Sequence, residues 1–349
     1  MKRKNLSWSL AIVISMLIGG GGIGYAKVAG MCSNCHTMHN SQGGSHMIIN
    51  TTIDGENSGT HGGGYPSLTR GSCVGCHTGE NTSTSVTPYV YNTDSVTYGT
   101  DTLAGGNFKW VLDSDAKGHN VSGIPGMTGD GALSVAPGDF QSEGCAASSC
   151  HATLFNPVDS VTLDTGCEGC HLEPKHHAPQ QVAGTAALEA NGYFRFLKGH
   201  DTGDGVHGIE DSGWELNPSG MAHNEYLGST TGTANTMTGY CIGCHGNFHV
   251  QKDGNANWIR HPSDAVIPDT GEYATYTAYD PNVPVARPSL TAVSDSVTPG
   301  TDMVMCLSCH RAHGSPNDDM LRWSYSGMVA GGTGADGTGC FTCHSEKDQ

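Results

Sequence analysis

The sequence predicts a chain low in regular secondary structure, with short helices, few short strands and most of its length in loops. Three observations predict this. Leu, Ile, Val and Phe make up only about 16% of the 349 residues, which is too few for a conventional core. Glycine occurs 51 times and the formal net charge is -17, a balance that on its own reads as disorder. Against this stand 14 cysteines arranged in seven copies of one pattern, and a pattern that regular implies an ordered framework.

The pattern is CxxC followed at once by histidine, the attachment sequence for c-type haem: both thiols bond to the vinyl groups and the adjacent imidazole sits under the iron. It occurs at Cys32-Cys35-His36, Cys73-Cys76-His77, Cys167-Cys170-His171, Cys241-Cys244-His245, Cys306-Cys309-His310 and Cys340-Cys343-His344. A lengthened copy lies at Cys145-Cys150-His151. Zinc sites share the CxxC spacing, but six pairs each followed directly by histidine favour haem. For the lengthened copy a Cys145–Cys150 disulfide is the competing reading, and His151 directly after the second cysteine again favours haem. Seven covalently bound haem c groups are therefore expected, and their flat apolar bodies supply the core that the side chains do not. The chain is predicted to be a single multihaem cytochrome domain over residues 27–349, elongated and organised around a row of seven haems.

Residues 1–26 read as a signal peptide: Lys2, Arg3 and Lys4, an apolar run from Leu10 to Ile18, and a small-residue site ending at Ala26. The apolar run is too short to span a bilayer, so no membrane span is expected in the mature chain. Secretion to the extracellular space or outer surface follows, with the periplasm as the alternative. The acidic balance argues against nucleic acid, whose phosphates call for Lys and Arg.

Along the chain, Gly43 to Arg70 reads as a glycine-rich loop containing His46 and His61. Asn81 to Thr102 alternates in a manner that suits short strands, and Phe108 to Leu112 is an apolar run leading to KGHN with His119. The third and fourth motifs lie so close in sequence that their haems should be near neighbours. Tyr193 to Leu197, YFRFL, has strand character, and Tyr273, Tyr276 and Tyr279 share the spacing of one helical face, cut short by Pro281, Pro284 and Pro288.

Seven of the 19 histidines are proximal, which leaves twelve for seven sixth positions. The candidates for these distal places are His39, His119, His176, His177, His200, His223, His249, His261 and His313. Several follow their own motif by only a few residues and cannot reach round to the opposite face of that haem. Each such segment then holds one haem and offers a ligand to another, which keeps neighbouring haems close. Iron with two imidazoles is closed to substrate and suits electron transfer, so the reading is an electron-transfer protein with no catalytic residues. A reductase, which needs an open iron, stays as a lesser alternative, as does a monomeric carrier. At the start of the chain, His39 has no evident intramolecular acceptor; if it reaches a haem of the next molecule, head-to-tail contacts give open filaments.

CSNCHTMHNSQGG, KGHN at His119, CIGCHGNFH, RHP at His261 and CLSCHRAHG followed by DDMLRW resemble segments of the extracellular multihaem cytochromes that polymerise into conductive nanowires in metal-reducing bacteria. The resemblance implies a loop-built subunit, bis-histidine haems in alternating stacked and T-shaped pairs, and electron delivery to partner cytochromes, Fe(III) minerals or electrodes. It also implies that His39 ligates the haem on Cys306, Cys309 and His310 of the adjoining subunit. Two segments depart from the pattern: CAASSCH and CEGCHLEPKHH have no clean counterpart, and the seven motifs exceed that family's six.

Overall fold

A computed structural model describes residues 31–39, 41–42, 45–46, 68–69, 73–92, 94, 96–133, 136–138, 154–155, 166–171, 176–177, 193–197, 205–248, 260–332 and 337–347. Outside the described residues lie the signal segment, Cys145, Cys150 and His151 of the lengthened motif, and the candidates His200 and His249.

Short elements joined by loops make up the fold. Three α-helices, α1 (Cys73–His77), α2 (Met237–Ile242) and α3 (Cys306–Cys309), and single 3-10 turns at Cys32–Asn34, Gly166–Gly169 and Gly339–Thr342 each carry cysteine of a CxxCH motif. One turn suffices because residues at i, i+3 and i+4 share a helix face. The histidine N–H closes it onto the first cysteine's carbonyl, at 2.8 Å for His36 and His171, 3.0 Å for His245 and His344, and 3.1 Å for His310. Thr236 caps α2, its hydroxyl accepting from the Gly239 N–H at 2.9 Å.

The strands have two or three residues each: β1 (Ser41–Gln42), β2 (Ser45–His46), β3 (Gly208–Ile209), β4 (Glu225–Leu227), β5 (Ala265–Val266), β6 (Ala286–Arg287) and β7 (Met303–Val304). β1 pairs antiparallel with β2. The larger sheet runs β3-β4-β6-β7-β5, antiparallel except for the β4–β6 pair. Ionic contacts between side chains clamp it. Buried Arg287 on β6 donates from Nε to the Glu225 carboxylate on β4 at 2.9 Å and also pairs with Asp302 before β7. So little hydrogen-bonded ladder would not hold by itself.

Among the described residues, three separate apolar clusters take the place of a continuous core. Phe194, Val206, Tyr226, Met237, Met303 and Met305 pack around α2 and the sheet. Val74, Phe108, Val111, Val121, Ile124 and Met127 pack beside α1. A third cluster gathers Ile267, Tyr276, Tyr279, Val283, Val285 and Val297.

Three local expectations need correction. YFRFL is not a strand: Phe194–Phe196 forms a 3-10 turn with left-handed backbone at Arg195 (φ 47) and Phe196 (φ 61). Polar partners hold that strained backbone, the Arg195 N–H donating to Glu210 Oε1 at 2.6 Å and its guanidinium pairing with Glu210. The tyrosines do not line a helix. A 3-10 turn spans Gly271–Thr275, and beyond it Tyr276 is turned inward to donate its hydroxyl to the Val283 carbonyl at 2.6 Å. The described residues between Asn81 and Thr102 form turns and isolated bridges, such as Thr78 with Tyr91, because Asn81 and Asp101 side chains take up backbone groups that a strand ladder would have used.

Candidate haem-binding framework

Histidines distant in sequence face each other in pairs. His36 meets His177 with ring centroids 6.2 Å apart, His77 meets His176 at 6.1 Å, and His171 meets His313 at 6.2 Å. His245 meets His119 at 6.1 Å and His344 meets His261 at 6.3 Å. Each pair joins a motif histidine to a histidine from elsewhere in the chain. The shared spacing has a metric meaning. With an imidazole nitrogen bound to a first-row metal at about 2 Å on either side, and about 1.1 Å from nitrogen to ring centre, two rings on one metal stand roughly 6 Å apart.

The tautomers agree with this. Nδ1 lies against a backbone carbonyl in His77 (Pro88, 2.7 Å), His119 (Ala312, 2.7 Å), His171 (Arg195, 2.6 Å), His245 (Pro137, 2.8 Å), His261 (Pro262, 2.8 Å) and His310 (Asp319, 2.7 Å). A carbonyl only accepts, so Nδ1 carries the proton and Nε2 keeps its lone pair for a metal. Burial lowers the pKa of His77, His119, His171, His176 and His310, and brings His313 down to about 3. These rings are therefore neutral, the form that binds iron. Spacing, tautomer and charge all fit haem iron between paired imidazoles.

Close backbone approach positions His313. A Cβ on Gly106 (φ +83) would stand 2.0 Å from the Gly314 carbonyl oxygen, and one on Gly118 would stand 2.3 Å from that of His313. The chain after α3 is thereby pressed against the KGHN segment, where the His119 N–H donates to the His313 carbonyl at 3.3 Å. Phe108 stacks on the His313 ring at 4.7 Å.

His223, a candidate distal ligand from sequence, has a different place. It is fully buried and stacked on Tyr279 at 3.6 Å, with Nδ1 against the Ser219 carbonyl at 3.0 Å and Nε2 against Glu225 Oε1 at 3.2 Å. Both nitrogens are occupied, so none is left for a metal. His39 is exposed. His310 belongs to none of the five pairs, although its Nδ1 is anchored like the others.

Contacts between motifs set an order. Adjacent His176 and His177 serve the second and first motifs. The thiols of Cys73 and Cys167 lie against each other, joining the second motif to the fourth. Tyr240 donates its hydroxyl to the Cys170 carbonyl at 2.6 Å, joining fourth to fifth. Cys241 lies against Cys306, joining fifth to sixth. Cys340 and Cys343 lie near Cys309, joining sixth to seventh. Partners such as His171 and His313 lie far apart in the sequence and meet only in the folded chain.

Residues 298–349 match the family model for the doubled CXXCH motif. The chain is 26% identical over 390 aligned positions to the C-type cytochrome OmcS of Geobacter sulfurreducens, covering 92% of this chain and 86% of the relative. Its fold matches the outer membrane cytochrome S filament from that organism with a TM-score of 0.53 at 20% identity, over 86% of this chain and 85% of the other. A second structure, of the OmcS nanowires, matches with a TM-score of 0.52 at 20% identity, over 93% and 92%. In motif, sequence and fold together, this chain is similar to the C-type cytochrome OmcS.

Proposed function

We propose that this chain is a secreted heptahaem cytochrome that moves electrons through bis-histidine haems and polymerises head to tail into a conductive extracellular filament. The observation that carries the reading is the set of five imidazole pairs at 6.1–6.3 Å. His36, His77, His171, His245 and His344 serve as proximal ligands, opposed by His177, His176, His313, His119 and His261. His151 is the proximal ligand of the lengthened site. Bound haem supplies one-electron chemistry at an iron whose two imidazoles change little between oxidation states. The residues hold each group by two thioethers, fix the Nε2 lone pairs through carbonyls on Nδ1, and leave no open position at the paired sites for an oxyanion substrate.

The sixth motif supports the polymer. His310 is anchored for ligation yet stands outside the described pairs, while His39 is exposed at the other end of the motif series. His39 of one copy opposite His310 of the next completes both, and a heterologous contact of this kind propagates without closing. The filaments and nanowires solved for OmcS support polymerisation of this chain. Outside the cell, Fe(III) minerals, electrodes or partner cytochromes are the acceptors. No helix among the described residues is long and apolar enough to cross a membrane.

The deciding experiment is His39→Ala in the haem-loaded protein. Haem content is expected to stay at seven by mass, filaments to disappear in electron micrographs, and the dithionite-reduced monomer to bind carbon monoxide at one haem. Filaments of native length from this variant would overturn the bridge. Native filaments that bind carbon monoxide stoichiometrically would overturn the purely electron-transfer role.

A further inference from the structure

The motif histidine of the seventh site, His344, has an Nδ1 partner of a different kind. Six histidines of the framework rest Nδ1 on a main-chain carbonyl, among them His261, which faces His344 across that site. His344 instead presents Nδ1 to a carboxylate, Glu272 Oε1, at 3.4 Å. The carboxylate is built into place. Glu272 is buried and sits in the 3-10 turn Gly271–Thr275. Its main-chain carbonyl accepts from the Ser345 hydroxyl at 2.8 Å and from the Thr275 hydroxyl at 2.9 Å, which fastens the turn to the residue after His344. Tyr273 packs edge-on to the His344 ring at 5.1 Å. The nearby cation, Lys347 Nζ at 3.4 Å from the same Oε1, belongs to an exposed side chain, where water screens it.

The sixth site carries the opposite charge. Arg322 donates from Nε to the Leu307 and His310 carbonyls at 2.7 and 3.2 Å, and from Nη1 to the Pro281 carbonyl at 3.2 Å. Arg311, buried beside His310, donates to the Ala104 carbonyl at 3.1 Å and lies over the Tyr98 ring at 3.3 Å. Arg287 is paired with Glu225 and Asp302, but among the described residues no carboxylate forms an ion pair with Arg311 or Arg322. The two sites adjoin. The Arg322 N–H donates to the Cys309 carbonyl at 2.8 Å, and the next residue, Trp323, packs with Cys343. A Cβ on Gly339, at the start of the seventh motif's turn, would stand 3.0 Å from the Trp323 ring.

We propose that Glu272, acting through His344, is a positioning residue that makes the seventh site the lowest-potential station of the row, below its neighbour at His310. It rests on the haem-row reading above. A ligand histidine that gives its N–H to a carboxylate is a stronger base than one on a carbonyl, and net charge beside an iron sets its potential. Anionic Glu272 favours the ferric state at His344, while Arg311 and Arg322 favour the ferrous state at His310. In the step between them one electron moves: the iron held by His310 is oxidised and the iron held by His344 is reduced. Glu272 stays ionised, and no proton is transferred. The seventh site is thus the last to fill and the first to empty, which makes it a ready donor to an acceptor at that end of the chain.

The test is a spectroscopic redox titration of the haem-loaded protein. Glu272→Gln keeps an acceptor oxygen and nearly the same volume but removes the charge. Its haem content is expected to equal the native protein's by mass. Its lowest-potential component is expected to shift upward while the other components stay in place. An unmoved lowest component in a variant of native haem content would overturn the assignment. Should Glu272→Gln lose haem, Cys340→Ala/Cys343→Ala decides: disappearance of the lowest component supports the assignment, and its persistence refutes it. Absence of haem from Cys340 and Cys343 in the native protein, read from peptide masses, would instead sink the haem-row reading on which the assignment rests.

Discussion

A histidine's role here is set by what its Nε2 touches, because Nδ1 lies on a main-chain carbonyl in both classes. His77, His119, His171, His245, His261 and His310 each place Nδ1 on a main-chain carbonyl, which leaves Nε2 as a base. His223 has acceptors at both nitrogens and is withdrawn from metal chemistry. The two classes are separable by experiment. His313→Ala is expected to keep every haem covalently attached but to open the iron opposite, at His171, so that the reduced protein binds one equivalent of carbon monoxide. His223→Gln is expected to bind none beyond the native protein, while losing stability through the Glu225 contact. Carbon monoxide binding in the second variant, or silence in the first, would reverse these assignments. The proximal roles proposed above can be read from the sequence alone, because covalent attachment would fix them locally. The setting of His223 combines chain neighbours, Ser219 and Glu225, with Tyr279, which only the fold brings to it, and no motif in the sequence marks that combination.

Among the elements, one-turn helices were foreseeable because CxxCH needs a single helical turn. The five-stranded sheet was not, since strands of two or three residues leave no periodicity to read. Its order is written instead in one buried ionic group: Glu225 on β4, Arg287 on β6 and Asp302 before β7. Arg287→Ala removes the guanidinium from two buried carboxylates and is expected to cost about 3–5 kcal/mol, measured by denaturant unfolding of the haem-loaded protein. Glu225 also makes a pH prediction. Burial alone would raise its pKa, but hydrogen bonds from His223, Arg287 and the Ser294 N–H outweigh this and hold it below the usual carboxylate value. The unfolded chain therefore takes up the proton first. The contribution of this group is fully present above the ordinary carboxylate range near pH 4 and is lost as pH falls through the depressed value. Glu225→Gln is expected to be less stable at neutral pH and to show a shallower loss of stability below about pH 4. An unchanged acid slope would mean that other groups dominate it.

At the scale of the whole molecule, the net charge of -17, to which haem propionates add, opposes every contact between copies. A filament of such subunits must be held by short-range bonds strong enough to overcome a long-range repulsion, and the proposed ligation of iron by His39 would be one. The two forces respond differently to salt. Screening shortens the reach of the repulsion from about 30 Å at 0.01 M to about 8 Å at 0.15 M ionic strength, while a coordination bond is little affected. Raising salt over this range is therefore expected to lower the protein concentration at which filaments form, as followed by sedimentation, and His39→Ala is expected to remain unassembled throughout. The opposite dependence, with filaments dissolving as salt rises, would show that complementary charges make the interface. In that case the coordination bond would be incidental, and the exposed His39 would lose its claim to be the link.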